Sequence, residues 1–144
     1  MTTYVQARDN LVAYINTSLT TAFPTLKVIY ENTLSVDLDS VGDSFMRIEI
    51  DFTDSIQSDI DMDRLDPTVL PGDETHGEVV FRYFVKEGVG TRATLEMQDT
   101  IRSMMKLRIL GGVRTAIPTP GKKVLKQGWV ENDIIVPFSF YSKF

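Results

Sequence analysis

The chain has no cysteine, one histidine and one tryptophan. The missing thiols exclude disulfides, thiolate nucleophiles and thiolate metal sites together. With His76 as the single imidazole, no metal site or triad that uses more than one histidine can be assembled. No run approaches the ~18 consecutive apolar residues of a membrane span. The first residues, MTTYVQARDN, have neither a basic n-region nor an apolar h-region, so no secretory signal is expected and cytosolic synthesis is the simplest reading. A net charge of -5 argues against non-specific nucleic-acid binding by the chain as a whole.

What is present suits one domain over residues 1–144. Hydrophobic residues make up 42% and charged residues 24%, ordinary globular usage that supports a proper core. The charges are unevenly spread. From Glu31 to Glu78 there are fourteen acids against Arg47 and Arg64, a net of -12; from Arg102 to Lys126 there are seven bases and no acid, a net of +7. Two solvated faces would explain this. So would a protein that sets an acidic surface against a basic surface of its neighbour.

Hydrophobic periodicity predicts the elements. Over residues 3–23, Tyr4, Val5, Leu11, Val12, Ile15, Leu19, Ala22 and Phe23 share a helical stripe, with Arg8 inside it, and Pro24 stops the helix. LKVIY (26–30) reads as a short strand, and Asn32 as a turn residue. FMRIEIDF (45–52) alternates as a half-buried strand. GEVVFRYFVKEG (77–88) is apolar on both faces through Val80 and Phe84, so a central position is expected. Residues 91–109 form a second helix with Ala93, Met97, Ile101, Met104 and Met105 on one face, ended by Gly111-Gly112. VRTAIP (113–118) is a strand closed by Pro118 and Pro120. DIIVPFSFYSKF (133–144) is a final strand that Pro137 assigns to an edge or a bulge. The order predicts an α+β fold, an α/β sandwich with an antiparallel or mixed sheet and two helices packed on one face. Residues 53–76, with seven acids and one arginine, form a long acidic loop or an extended hairpin arm.

Motif by motif, chemistry is weakly represented. Asp59, Asp61 and Asp63 occupy the first three ligand positions of a calcium loop, but Arg64 stands where glycine belongs and Leu70 where glutamate belongs. GVGTRA (88–93) has two glycines before a helix but lacks the third of a dinucleotide fingerprint. GKK (121–123) lacks the earlier glycine of a phosphate loop and reads as an exposed basic turn. No two carboxylates are paired in an apolar setting. No catalytic residue, metal site or cofactor is expected.

Taken in order, several segments carry a family likeness: FPTLKVIYEN after the first helix, FMRIEI, HGEVVFRYFVKEGVGTRATLEMQDTIRSMM, and KKVLKQGWVENDIIVPFSFY at the end. In their order and spacing they resemble the tail terminator (tail completion) proteins of long-tailed bacteriophages and prophages. The likeness covers nearly the whole chain, although many relatives carry a tryptophan before the strand arginine, where this chain has Phe45-Met46. The resemblance implies a virion protein without catalysis, made in the bacterial cytoplasm. It implies a homohexameric ring at the head-proximal end of the tail that caps the tube, stops its polymerisation and meets the head-side connector. Its partners would be its own copies, the major tail tube protein and the connector, with DNA passing through the lumen unbound and no membrane involved. Under that reading the contact candidates are Arg102, Lys106, Arg108, Arg114, Lys122 and Lys123 on the basic side, and Glu31, Asn32, Asp37 and Asp39 on the other. Asp59, Asp61, Asp63 and Asp66 would face the lumen or a partner. Glu31-Asn32 would turn the chain outward after Tyr30. The competing readings are a head-closure or head-tail joining neck protein, and a small α+β ligand-binding protein or enzyme subunit.

Overall fold

The first helix is set by its own N-terminus. The amide of Gln6 donates to Thr3 Oγ1 and the amide of Thr3 donates to Gln6 Oε1, a reciprocal cap that satisfies two donors left over at a helix start. The computed structural model describes residues 2–31, 42–57 and 72–143. In it α1 (Tyr4–Ala22) leads into β1 (Lys27–Tyr30), β2 (Ser44–Gln57) and β3 (Gly72–Lys86). Helix α2 (Arg92–Met105) follows, then β4 (Ile109–Leu110), β5 (Val113–Thr115), β6 (Thr119–Lys126) and β7 (Trp129–Lys143).

The seven strands make one mixed sheet in the order β1-β2-β3-β7-β5-β4, with β6 also paired to β7. Only β1 against β2 is parallel among the described pairs; the others are antiparallel. The fold is therefore mixed α+β, as the element order predicts. Strand β3 is central, also as predicted: it pairs with β2 from Asp73 to Val85 and with β7 over its whole length. Because both partners are long, alternation decides its two faces. Val79, Phe81, Tyr83 and Val85 are buried with Met46, Ile48 and Ile50 of β2 and Ile134, Val136, Phe138 and Phe140 of β7. Ala7, Leu11, Ile15 and Leu19 of α1 and Met97, Ile101, Met104 and Met105 of α2 belong to the same cluster. Tyr14 Oη donates to Met104 O at 2.7 Å, which ties the helices together.

Several expectations change. The buried stripe of α1 is a narrow seam of every fourth residue; Tyr4, Val5 and Ala22 are exposed. Tyr4 instead closes a ring cluster with Phe52 and Phe140, at centroid distances of 4.8 and 5.6 Å. Arg8 lies outside the buried seam, 3.6 Å from Asp9. Helix α2 stops at Met105 rather than at the glycines, because the chain is recruited into the sheet. Thr115 Oγ1 accepts from Arg108 N at 2.8 Å and donates to Met105 O, and Leu107 takes φ +50° to make the corner. GKK is not a free turn but lies in β6, where one extra residue between Pro120 and Lys123 makes a bulge. Pro137 is not on an edge strand. It lies where the neighbour of β7 changes from β6, paired up to Ile135, to β5, paired from Phe138, so a missing ladder donor is tolerated there. The acidic connection is partly strand: past a bulge between Phe52 and Asp54, β2 and β3 stay paired out to Gln57 opposite Asp73.

Gly77 marks the tightest approach in the sheet. A Cβ there would stand 2.3 Å from Phe138 Cζ and 2.5 Å from Asp51 O. The replacement Gly77→Ala is therefore expected to lower unfolding free energy in urea by about 1–3 kcal/mol, the usual cost of forcing an extra carbon into a packed site. Unchanged stability would mean that the Phe138 ring yields freely.

Candidate functional site

The basic candidates come from two parts of the fold. Arg102 lies in the last turn of α2, Lys106 and Arg108 follow it, and Arg114 is on β5 opposite Ile109. Lys122 and Lys123 sit at the β6 bulge. All six are exposed. Arg102 completes the negative end of the helix dipole. Arg108 Nη2 donates to Ser103 O at 3.1 Å. Arg114 lies 3.7 Å from Glu74 and its guanidinium carbon is 5.1 Å from the Tyr141 ring centre. Among the described residues, Arg102, Lys106, Arg108, Lys122 and Lys123 have no carboxylate at salt-bridge distance.

The α2–β4 corner also exposes apolar side chains. Leu107 is 65% exposed and Ile109 77% exposed. Strand β4 ends the sheet order, so among the described residues its outer edge is unpaired. Lys106 and Arg108 flank these residues, the kind of charge that keeps an apolar edge from pairing indiscriminately. Sequence reasoning had placed all of 106–109 in the helix. The break shows only through the long-range bonds to Thr115.

The acidic candidates fare differently. Glu31 does not turn outward: its Oε2 accepts from Ile50 N at 3.2 Å and its own amide donates to Ile48 O at 3.0 Å, extending the β1–β2 pairing by one residue. Asn32, Asp37, Asp39, Asp59, Asp61, Asp63 and Asp66 lie outside the described residues.

An ionic cluster that periodicity had not singled out lies on the other face of the central strands. Arg82 of β3 is opposite Arg47 of β2 and Asp133 of β7. Its guanidinium donates to Glu49 Oε2 at 3.0 Å and to Asp133 Oδ2 at 3.2 Å, with Glu131 4.0 Å away. Glu131 is 5% exposed and Asp133 7%. The hydrogen bond to Glu49 raises the Arg82 pKa most, with burial opposing it and all three carboxylates adding to the rise. Asp133 is raised above the ordinary aspartate value, first by burial and then by Glu131, while Arg82 pulls it down. Its Oδ1 is buried without a hydrogen-bond partner. Beside this cluster, Phe45 stacks on Phe84 at 4.5 Å and meets Trp129 edge-on at 5.1 Å, with Ile29 packed against them. The signal was the alternation Trp129, Glu131, Asp133, which shows once the last strand is begun at Trp129.

His76 Nε2 lies 3.6 Å from Glu74 Oε1. No group of three or more metal-ligating side chains is placed to hold an ion among the described residues, and no described helix is long and apolar enough to cross a membrane. Arg82 with its carboxylates is a means of holding strands in register.

No family model matches the chain, and no curated protein does. Among solved structures the chain is similar to one with a TM-score of 0.58 and 12% identity, over 95% of this chain and 96% of that one. At that identity the likeness speaks for the fold alone.

Two outcomes follow from the cluster. The variant Arg82→Met leaves buried carboxylates unpaired and is expected to cost about 3 kcal/mol in urea unfolding; a loss near zero would show that water replaces the guanidinium. Asp133 binds its proton more tightly folded than unfolded, so its penalty is present at neutral pH and is relieved as pH falls through the raised folded value toward the ordinary 3.8. Asp133→Asn should then melt at or above the wild-type temperature at pH 7, and the difference should shrink in acid. A difference that grows in acid would contradict the raised value.

Proposed function

We propose that this chain is a structural subunit of the tail-terminator kind, which assembles into a ring, six-membered by resemblance, caps a phage tail tube and joins it to the head-side connector. In this reading the fold is an α/β sandwich with both helices on one sheet face, and the acidic connection after β2 reaches the lumen or a partner. DNA slides through without specific binding, because carboxylates repel phosphates.

The observation that carries the reading is the α2–β4 corner. It presents Leu107 and Ile109 to solvent beside Arg102, Lys106 and Arg108, on a sheet edge that no described strand completes. A closed ring is built from heterologous contacts, in which one surface of each copy meets a different surface of the next. A basic and apolar corner, on a chain whose acids concentrate between residues 31 and 78, is suited to such a contact. The order of sequence segments adds independent support.

Reversing two charges, Lys106→Glu with Arg108→Glu, is expected to weaken assembly about tenfold at low salt, with the gap closing as salt screens the contact. Sedimentation of the chain alone and with tube protein reads this out. Folded double variants that assemble normally would remove the corner from the interface. A wild-type ring seated on the head rather than on the tube end would replace the terminator reading with that of a neck protein.

A further inference from the structure

A second surface shows an electrostatic imbalance. The N-terminus of α2 lacks each local feature that usually stabilises a helix start. Thr91 makes no side-chain cap bond, no acid lies in the first turn, and Arg92 places positive charge at the positive end of the dipole. Arg92 is held by Glu96 at 2.9 Å, one turn on. Above this terminus a cleft of about 400 Å³ opens between α2 and the β6–β7 hairpin. Val85, Val130 and Leu95 give it apolar walls, Lys86 and Lys123 lie in its lining, and no acid among the described residues lines it. Neither lysine has a carboxylate at salt-bridge distance among the described residues; Lys86 Nζ lies 5.8 Å from the Trp129 ring centre.

The floor of the cleft is polar and buried. Asn132 is 6% exposed and lines the cleft. Its side chain is bonded to Thr94 through Nδ2 at 3.4 Å. Leu95, on the lip, is 56% exposed. An apolar recess, two lysines without a carboxylate partner among the described residues and an uncapped helix start together lack the same thing, a carboxylate carried next to an apolar side chain.

We propose that this cleft is a socket for an acidic stretch of a second copy of this chain, which sets an apolar side chain against Val85, Val130 and Leu95 and a carboxylate between Lys86, Lys123 and the α2 N-terminus. The second copy is the occupant because the chain carries its own complement: residues 31–78 hold fourteen of its twenty acids, interspersed with isoleucine, leucine, methionine and valine. The inference rests on the ring reading above and assigns one of its contacts. It is separate from the α2–β4 corner, which follows the other end of the same helix.

The test is site-specific photocrosslinking in the assembled protein, with benzoylphenylalanine in place of Leu95. Mixing nitrogen-14 and nitrogen-15 copies separates intermolecular from intramolecular products. The expected result is an intermolecular crosslink to a peptide within residues 31–78, reduced about tenfold by Lys86→Glu with Lys123→Glu, as for two reversed rim charges. Crosslinks within one copy, to a different region of the neighbour, or to tube protein instead would overturn the socket while leaving the ring intact. A chain that stays monomeric alone and with tube protein would remove the ring reading and the socket with it. Circular dichroism of the double variant separates lost contact from lost fold.

Discussion

Burial of β3 on both sides is the constraint on which the rest of the structure depends. Flanked along its length by β2 and β7, this strand offers neither an edge nor a free face where it is central. On one face the solution is apolar, with Phe81 and Val79 fully covered and the residues of both helices in the same cluster. On the other face Arg82 sits in the middle, and its charge is accommodated because Asp133 stands opposite it on β7 and Glu49 lies diagonally across on β2, two residues along from Arg47. A slip of one residue would exchange these faces and set Arg82 in the apolar core, so the cluster enforces register more than it adds stability.

That arrangement leaves the periphery free for other uses. Strand β7 is long enough to serve two partners on its outer edge, β6 along its first half and β5 further on, and Pro137 falls in the interval between them. Ending α2 early is what makes β4 and β5 available to close that edge. The same break lifts Leu107 and Ile109 out of the core pattern. An exposed apolar corner in this fold is thus a consequence of how the sheet is completed, and the flanking bases keep it selective.

Both ends of α2 then carry surplus positive charge for different reasons. At its C-terminus Arg102, Lys106 and Arg108 favour the helix dipole. At its N-terminus Arg92 and the nearby Lys86 and Lys123 oppose it, a cost that the chain itself does not offset with a cap or a first-turn acid. Complementary charge from outside would offset it, which is why this terminus, rather than the other, reads as a socket.

Local pattern in the sequence determined the two helices, the strands at 26–30, 45–52 and 77–88, the start of a short strand at Val113, the central place of the third strand and the mixed α+β class, because each rests on periodicity along a short stretch of chain. The stop at Pro24 and the two-sided apolar character of 79–85 were legible in this way. Tertiary structure alone decided the parallel pairing of β1, the escape of residues 106–109 from the helix, the strand character of GKK and the partners of Arg82. Each of these turns on a contact between residues far apart in the chain: Thr115 with Met105 and Arg108, Lys123 with Asn132, Arg82 with Glu49 and Asp133. Glu31 illustrates the difference most directly. Its neighbours in sequence suggest an outward turn, but the free amide of Ile50 lies within reach in the folded sheet, and a buried donor takes the acceptor that is nearest in space.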